Sequence, residues 1–311
     1  MNHSTMHNEA SATCPEISYQ LVQRLIDTSR ADVYLAHRKD GVRPVEIAVK
    51  NAHLDYDRDR ARALAASMDA DLQHVLTFDH PNLVRHLAHG NSLEAYPMEV
   101  PHYIIIMEYC FGGNLHAAAQ FHIPAPLIQK WTGQIVDGLV YLHAQNVAHC
   151  DLTGTNILLN SPDWDTCQMK IGHLDTTERL HREMAHRVGD CGGRYAFMSP
   201  EMVWDDNVGR ETDIWSLGCV VLEMISGLPH FVKDVNGHQV DLTTDMAAMY
   251  YVGSGGSPQI PHTLPEELRT FLGECLWRDR VLRPTSADLL TKDFLTMAKV
   301  PQWPDPRPQR D

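Results

Sequence analysis

The hydrophobic pattern of this chain changes period at one place, around Tyr109-Cys110-Phe111-Gly112-Gly113. Before it, residues 17–50 alternate as short strands do, with a turn predicted at Asp40-Gly41, and His102 to Glu108 reads as a further apolar strand after a loop containing Pro97 and Pro101. One stretch breaks that rule: 57–78 is charged, rich in alanine and free of Gly and Pro, which predicts a helix. Beyond the two glycines the period becomes helical. Leu127, Ile128, Trp131, Ile135, Leu139, Val140 and Leu142 recur within 126–145, and 213–226 and 266–276 behave alike. A single core is hard to extend to 311 residues. The pattern therefore predicts an α+β fold of two lobes, a small β-rich one over 17–107 and a larger, mostly helical one over 114–297, joined by a hinge over 108–113. Residues 1–16 are predicted to be disordered, and 298–311, with four prolines, to be an unpacked tail.

Charge excludes some partners. The 26 Lys and Arg against 40 Asp and Glu give a formal charge of -14, which repels nucleic acid and anionic membranes. Apolar runs such as Ile104 to Met107 fall far short of the roughly 20 residues that span a bilayer. Met1 to Glu16 lacks the basic and apolar regions of a secretory signal, so a cytoplasmic protein, or a nuclear one, is expected. Seven cysteines, an odd number with no C-x-x-C, read as reduced thiols. The 19 histidines are scattered and read as ordinary surface residues.

The segment His149-Cys150-Asp151-Leu152-Thr153-Gly154-Thr155-Asn156-Ile157-Leu158-Leu159 places an Asp and an Asn five residues apart, just before an apolar strand. The segment resembles the catalytic loop of protein kinases, whose chemistry needs a carboxylate to orient a substrate hydroxyl and accept its proton and an amide oxygen nearby to hold magnesium. Its neighbours lie in that family's order. Val45-Glu46-Ile47-Ala48-Val49-Lys50 resembles the strand carrying the phosphate-binding lysine, and His80-Pro81-Asn82-Leu83-Val84 the segment after helix C. Met198-Ser199-Pro200-Glu201, Asp213-Ile214-Trp215-Ser216-Leu217-Gly218 and Arg283-Pro284-Thr285 resemble three elements of the helical lobe. The resemblance covers about 17–297, and the wording around 197–201 and 216–224 is most similar to Ser/Thr kinases of the sterile, or MAP kinase cascade, group.

The resemblance implies a bilobal protein kinase fold and roles for named residues. Asp151 and Lys50 would be catalytic. Val33, Ala48 and Leu158 would sandwich adenine, with Met107 as gatekeeper and Glu108 to Cys110 as the backbone that reads it, so ATP is the implied cofactor. Glu201 and Arg283 would form a buried ion pair, and Asp213 would hold the catalytic loop.

The chain also departs from the family. Leu25 to Tyr34 stands where a Gly-rich loop should cover the phosphates, yet it holds no glycine. Asp27 and Asp32 would add negative charge there, with Arg30 as the only local offset. Counting back nine residues from His80, the helix C acid is Asp71, one methylene short of the family's glutamate. Register from Lys170 puts His173 where the magnesium-chelating aspartate belongs, and an imidazole suits softer metals better. Asn156 and Asp175 are then the remaining metal candidates, Asp175 lying two residues late. Cys150 replaces an arginine that gathers a phosphorylated loop, and reads as a buried thiol or, if exposed beside a base, a reactive one. Thr153 replaces a lysine; Thr176, Thr177 and Tyr195 are candidate phosphosites.

Phosphoryl transfer depends on positioning and charge neutralisation, so these losses imply a pseudokinase: a scaffold or allosteric regulator that binds a protein partner, a kinase or its substrate, and keeps an ATP pocket. The alternative is a weakly active Ser/Thr kinase using Lys50, Asp151 and Asn156.

Overall fold

The computed structural model describes residues 17–28, 30–39, 44–92, 101–175, 194–204, 208–228 and 245–304. The predicted turn at Asp40-Gly41, the segment 1–16, Thr176, Thr177 and the end of the tail lie outside the described residues. Two compact units are present. One comprises the described residues up to Asp79 together with Arg85–Tyr109; the other comprises His80–Val84 and the described residues from Cys110 onward.

The N-terminal unit is a five-stranded antiparallel sheet with one helix, the α+β arrangement expected. Its strands are β1 (Tyr19–Asp27), β2 (Ala31–Arg38), β3 (Val45–His53), β4 (His86–Asn91) and β5 (His102–Glu108), in the order β1-β2-β3-β5-β4. Alternation sorts β3 and β5 onto two faces. Ile47, Val49, Ile104 and Ile106 meet Ala36 of β2 and Ile17 in the core cluster on one face. The other face carries Ala48 and Lys50, with Val33 and Ile105 opposite Lys50 and Met107 opposite Ala48.

Helix α1 (Arg58–Val75) starts on Asp57, whose side chain accepts the Asp59 and Arg60 N–H groups. It buries Ala61, Ala65, Met68, Leu72 and Val75, one stripe at helical spacing. Its end falls short of the predicted 78 because the ladder tightens into turns, with Thr77 N–H donating to His74 O and Phe78 N–H to Val75 O. Tyr103 of β5 ties the helix down by donating its hydroxyl to Asp69 at 2.5 Å.

The C-terminal unit is mostly helical. After a one-turn helix α2 (Leu115–Ala118), helix α3 (Ala125–Ala144) buries Ile128, Trp131, Ile135, Leu139 and Leu142. A two-stranded ribbon, β6 (Ile157–Leu159) and β7 (Met169–Ile171), follows. Then come α4 (Pro200–Trp204), α5 (Arg210–Ser226), α6 (Asp245–Gly253), α7 (Glu266–Cys275), α8 (Ser286–Leu289) and α9 (Asp293–Thr296). Helix α5 is buried on every side from Thr212 to Ser226, as a central helix must be, and it ends on Gly227 in the left-handed region at φ 77°. Val300 is buried and 301–304 remain largely exposed.

Three surface readings need correction or completion. The histidines are not an ordinary surface population: among the described residues at least seven approach a carboxylate within 3.9 Å. Tyr195 is buried. The five described cysteines, Cys110, Cys150, Cys167, Cys219 and Cys275, are all free and buried, so Cys150 is the buried thiol of the two readings. No helix among the described residues is long and apolar enough to cross a membrane.

Candidate active site

The loop that carries Asp151 and Asn156 hangs from helix α5 by its backbone. Asp213, fully buried, accepts the His149 N–H on Oδ2 at 2.8 Å and the Cys150 N–H on Oδ1 at 2.7 Å, while His143 Nε2 lies 2.9 Å from Oδ2. This bend drives Cys150 to φ 58°, a left-handed conformation that a non-glycine residue adopts at a cost of about 1–3 kcal/mol. Three hydrogen bonds to one buried carboxylate supply what holds it there.

His149 then links the loop to the strand beside it. Its Nε2 lies 2.8 Å from the Gly172 carbonyl, which only accepts, so Nε2 carries the proton and Nδ1 accepts the Asp151 N–H at 3.2 Å. Gly172 is gripped from its other side as well, its N–H donating to Asn156 O at 2.8 Å. A Cβ at Gly172 would meet Asn156 O and Val84 at 3.3 Å, tighter than ordinary contact. The grip on Gly172 sets the place of the next residue, His173, which is left-handed at φ 60°.

The result is a three-residue constellation. Asn156 Nδ2 donates to Asp151 O at 2.7 Å and to Asp151 Oδ2 at 2.9 Å. His173 Nδ1 lies 2.8 Å from that same Oδ2, and since a carboxylate only accepts, the imidazole donates. The side chains of Asp151 and His173 are 5% and 16% exposed, so the bond is shielded from water and from salt. Asp175 is buried in the turn after His173 together with Leu174. His173 is the residue set against Asp151 and Asn156. Thr153 is buried, its hydroxyl 2.8 Å from that of Thr155. Leu158, half-buried on β6, sits opposite Lys170, and Cys110 is buried.

In the N-terminal unit, Lys50 shares its sheet face with Val33, Ala48 and Met107. Glu108 is committed to Arg85: its N–H donates to Arg85 O at 2.9 Å and its carboxylate accepts the Arg85 N–H at 2.7 Å. Asp71 lies beside the buried stripe of α1, and its Oδ2 is buried with no hydrogen-bond partner.

The turn between β1 and β2 departs from the sequence reading. Asp32 pairs with Asn51, on the sheet face opposite Lys50, and its carboxylate is held by Arg24 at 2.6 Å and His53 at 3.2 Å. Arg24 also pairs with Asp27. Burial works to raise the Asp32 carboxyl, but the hydrogen bonds from His53 and Arg24 outweigh it and hold the group below its ordinary value. Arg24 thus offsets both acids. Two irregularities in β1, between Leu21 and Gln23 and between Arg24 and Ile26, swing Arg24 into reach, which strict alternation could not foresee.

Below the loop, the buried ion pair of the helical part is present. Arg283 clamps Glu201 with two bonds of 2.6 and 2.8 Å, and its guanidinium lies 5.2 Å from the Trp215 ring. Sequence reasoning missed one further pair, His116 and Glu223, at 2.6 Å. The signal was a lone acid inside the apolar run Val220 to Ile225.

The comparisons with known proteins agree with this architecture. The protein kinase domain family matches residues 19–295. The chain is 29% identical over 280 residues to the mitogen-activated protein kinase kinase kinase MST11 of Pyricularia oryzae, covering 85% of this chain and 28% of that protein. It is 30% identical over 254 residues to mitogen-activated protein kinase kinase kinase 18 of Arabidopsis thaliana, covering 80% and 69%. It is 33% identical over 222 residues to mitogen-activated protein kinase kinase kinase 4 of Mus musculus, covering 70% and 13%. The chain spans about a quarter of the first relative's length and about an eighth of the third's. With the kinase domain family matched across nearly its whole length, this chain belongs to the protein kinase family, among relatives that are MAP kinase kinase kinases.

Proposed function

We propose that this chain is a pseudokinase: a kinase-fold module of the cytosol or nucleus that docks a protein partner, a kinase or its substrate, and transfers phosphoryl groups poorly or not at all. The observation that carries the reading is the 2.8 Å bond from His173 to Asp151. Phosphoryl transfer is achieved mostly by positioning and by neutralising charge on the phosphates. At the position where the family places a carboxylate for magnesium, this chain places a nitrogen donor whose Nδ1 proton is already given to Asp151. Magnesium demands hard oxygen ligands in octahedral array, and an imidazole is a poor substitute. Asn156, with its amide nitrogen turned to Asp151, brings only an amide oxygen. Among the described residues no group of three His, Cys, Asp or Glu could hold a metal ion. The residues that meet at Asp151 do not fit magnesium.

The buried, unpartnered Oδ2 of Asp71 and the glycine-free turn at 25–34 support the same reading. Nucleotide retention is part of it. Val33, Ala48, Lys50 and Met107 share one sheet face, and Glu108, Cys110 and Leu158 match in sequence the positions that the family uses for adenine. A single thermal-shift experiment tests this, since a ligand that binds the native state raises its stability. ATP is expected to stabilise the protein equally with and without magnesium, or not at all. Stabilisation that requires magnesium would overturn the reading.

A second reading, a weakly active Ser/Thr kinase, is favoured by one observation. The Asp151–Asn156 geometry and its suspension from Asp213 are complete. In that case transfer to protein hydroxyls would vanish in Asp151→Asn.

A further inference from the structure

Among the histidine–carboxylate pairs, one is sealed on one side and open on the other. Glu223 of α5 is fully buried, with Oε1 2.6 Å from His116 Nδ1 and Oε2 buried without a hydrogen-bond partner. Its partner His116, on α2, exposes 51% of its side chain. In the pair His143–Asp213 both groups are buried, and in His89–Asp69 and His80–Asp137 it is the carboxylate that reaches solvent. His116 is exposed while its carboxylate is fully buried, so it offers water a proton path to a group that has none of its own.

The catalytic loop is the lid on that carboxylate. A Cβ added to Gly154 would collide with Glu223 Oε2, so the glycine backbone closes directly over it. The Gly154 carbonyl accepts the His116 N–H at 3.0 Å. Imidazole, carboxylate and the loop between Asp151 and Asn156 are thus packed as one piece.

A buried carboxylate with one oxygen lacking a donor is tolerated only while the pair keeps a proton. Burial pushes the Glu223 carboxyl up, against the pull of His116, and the hydrogen bond to Glu223 pushes the His116 imidazole up. Both directions have the same consequence: the folded pair holds one proton to a higher pH than its parts do in an unfolded chain. No other charged side chain among the described residues acts on either group. Cys219, one turn earlier on α5, stays a neutral thiol because burial pushes it far up, and Gln120 faces His116 only through the His116 carbonyl. Once the proton leaves, a buried anion faces a neutral ring, and the backbone of Gly154 is the cover whose removal would hydrate it.

We propose that His116 and Glu223 form a proton-operated latch on the catalytic loop: with one shared proton the loop is held down over α5, and without it the loop lifts to let water reach Glu223. The latch is fully set below the ordinary imidazole value and is released as pH rises through the raised one. It concerns the position of the loop and holds whether or not the chain transfers phosphoryl groups.

Amide hydrogen exchange on the full chain, from about pH 6 to about pH 9 and corrected for intrinsic exchange, tests it directly. Protection of the His116 amide and of 151–156 is expected to fall at least about tenfold across that range in the natural chain. In His116→Gln, a change at a half-exposed site, protection is expected to be low and flat with pH. The His116 ring, followed by NMR, is expected to titrate above its ordinary value. Equal pH dependence in the natural chain and His116→Gln would overturn the proposal. So would a His116 ring titrating at or below its ordinary value, or a loss of protection spread evenly over every amide of the unit.

Discussion

His173 Nδ1 lies 2.8 Å from Oδ2 of Asp151, joining two side chains that are 22 residues apart in sequence. The bond puts an imidazole where the family's metal carboxylate would stand, and it occupies one oxygen of the carboxylate that would orient a substrate hydroxyl. On the pseudokinase reading, one residue therefore acts on both halves of the phosphoryl-transfer apparatus. The left-handed backbone at His173 is held by the same grip on Gly172 that fixes the loop, so the arrangement is part of the fold.

The unpartnered oxygen of Asp71 has a counterintuitive consequence. An acid whose buried oxygen finds no donor contributes no stability, so Asp71→Asn is expected to leave the chemical-denaturation midpoint unchanged or to raise stability by less than about 1 kcal/mol. A loss of about 3 kcal/mol or more, the signature of a broken buried pair, would show that Asp71 is paired in solution.

Arg283 and Glu201 present the opposite case. Their side chains are 0% and 6% exposed and doubly hydrogen-bonded, so Arg283→Met is expected to cost about 3–5 kcal/mol in unfolding free energy by stranding the acid. Burial tends to raise the Glu201 carboxyl, but the bonds from Arg283 prevail and hold it below the ordinary value. A lowered folded value means stability that is present above the unfolded value and lost as pH falls through the folded one. Acid titration of stability should therefore lose a component below the ordinary glutamate range in Glu201→Gln relative to the natural chain.

Gly154→Ala places a methyl group on the Glu223 carboxylate. It is expected to cost about 1–3 kcal/mol by overpacking, read from thermal or denaturant unfolding. Shortening the acid should relieve the collision, so Gly154→Ala with Glu223→Ala should cost less than the sum of the single changes. Strict additivity would mean that the loop does not close over Glu223.

Much of this architecture is legible in the residues alone, for physical reasons. Strand and helix periods, and the Asp151 to Asn156 spacing, are local patterns, and they placed β5 to the residue and α3 to within one. Strand β4, His-Leu-Ala-His-Gly-Asn at a sheet edge, carries no clear alternation, so its position is not legible in the sequence. The relations that decide chemistry are those between distant residues. His173 could be set in register but not seen to reach Asp151. His116 and Glu223 are 107 residues apart. The face taken by Asp32 depends on irregularities in β1 that no period reveals.

Phosphoryl transfer from ATP to a protein substrate, measured side by side for the natural chain and for His173→Asp in the presence of magnesium, tests the account most directly. Replacing the imidazole by a carboxylate restores a hard oxygen ligand and frees Oδ2 of Asp151. The expected result is negligible transfer by the natural chain and a magnesium-dependent gain in His173→Asp that disappears again when Asp151→Asn is added. Robust magnesium-dependent transfer by the natural chain, undiminished relative to His173→Asp and lost in Asp151→Asn, would contradict it.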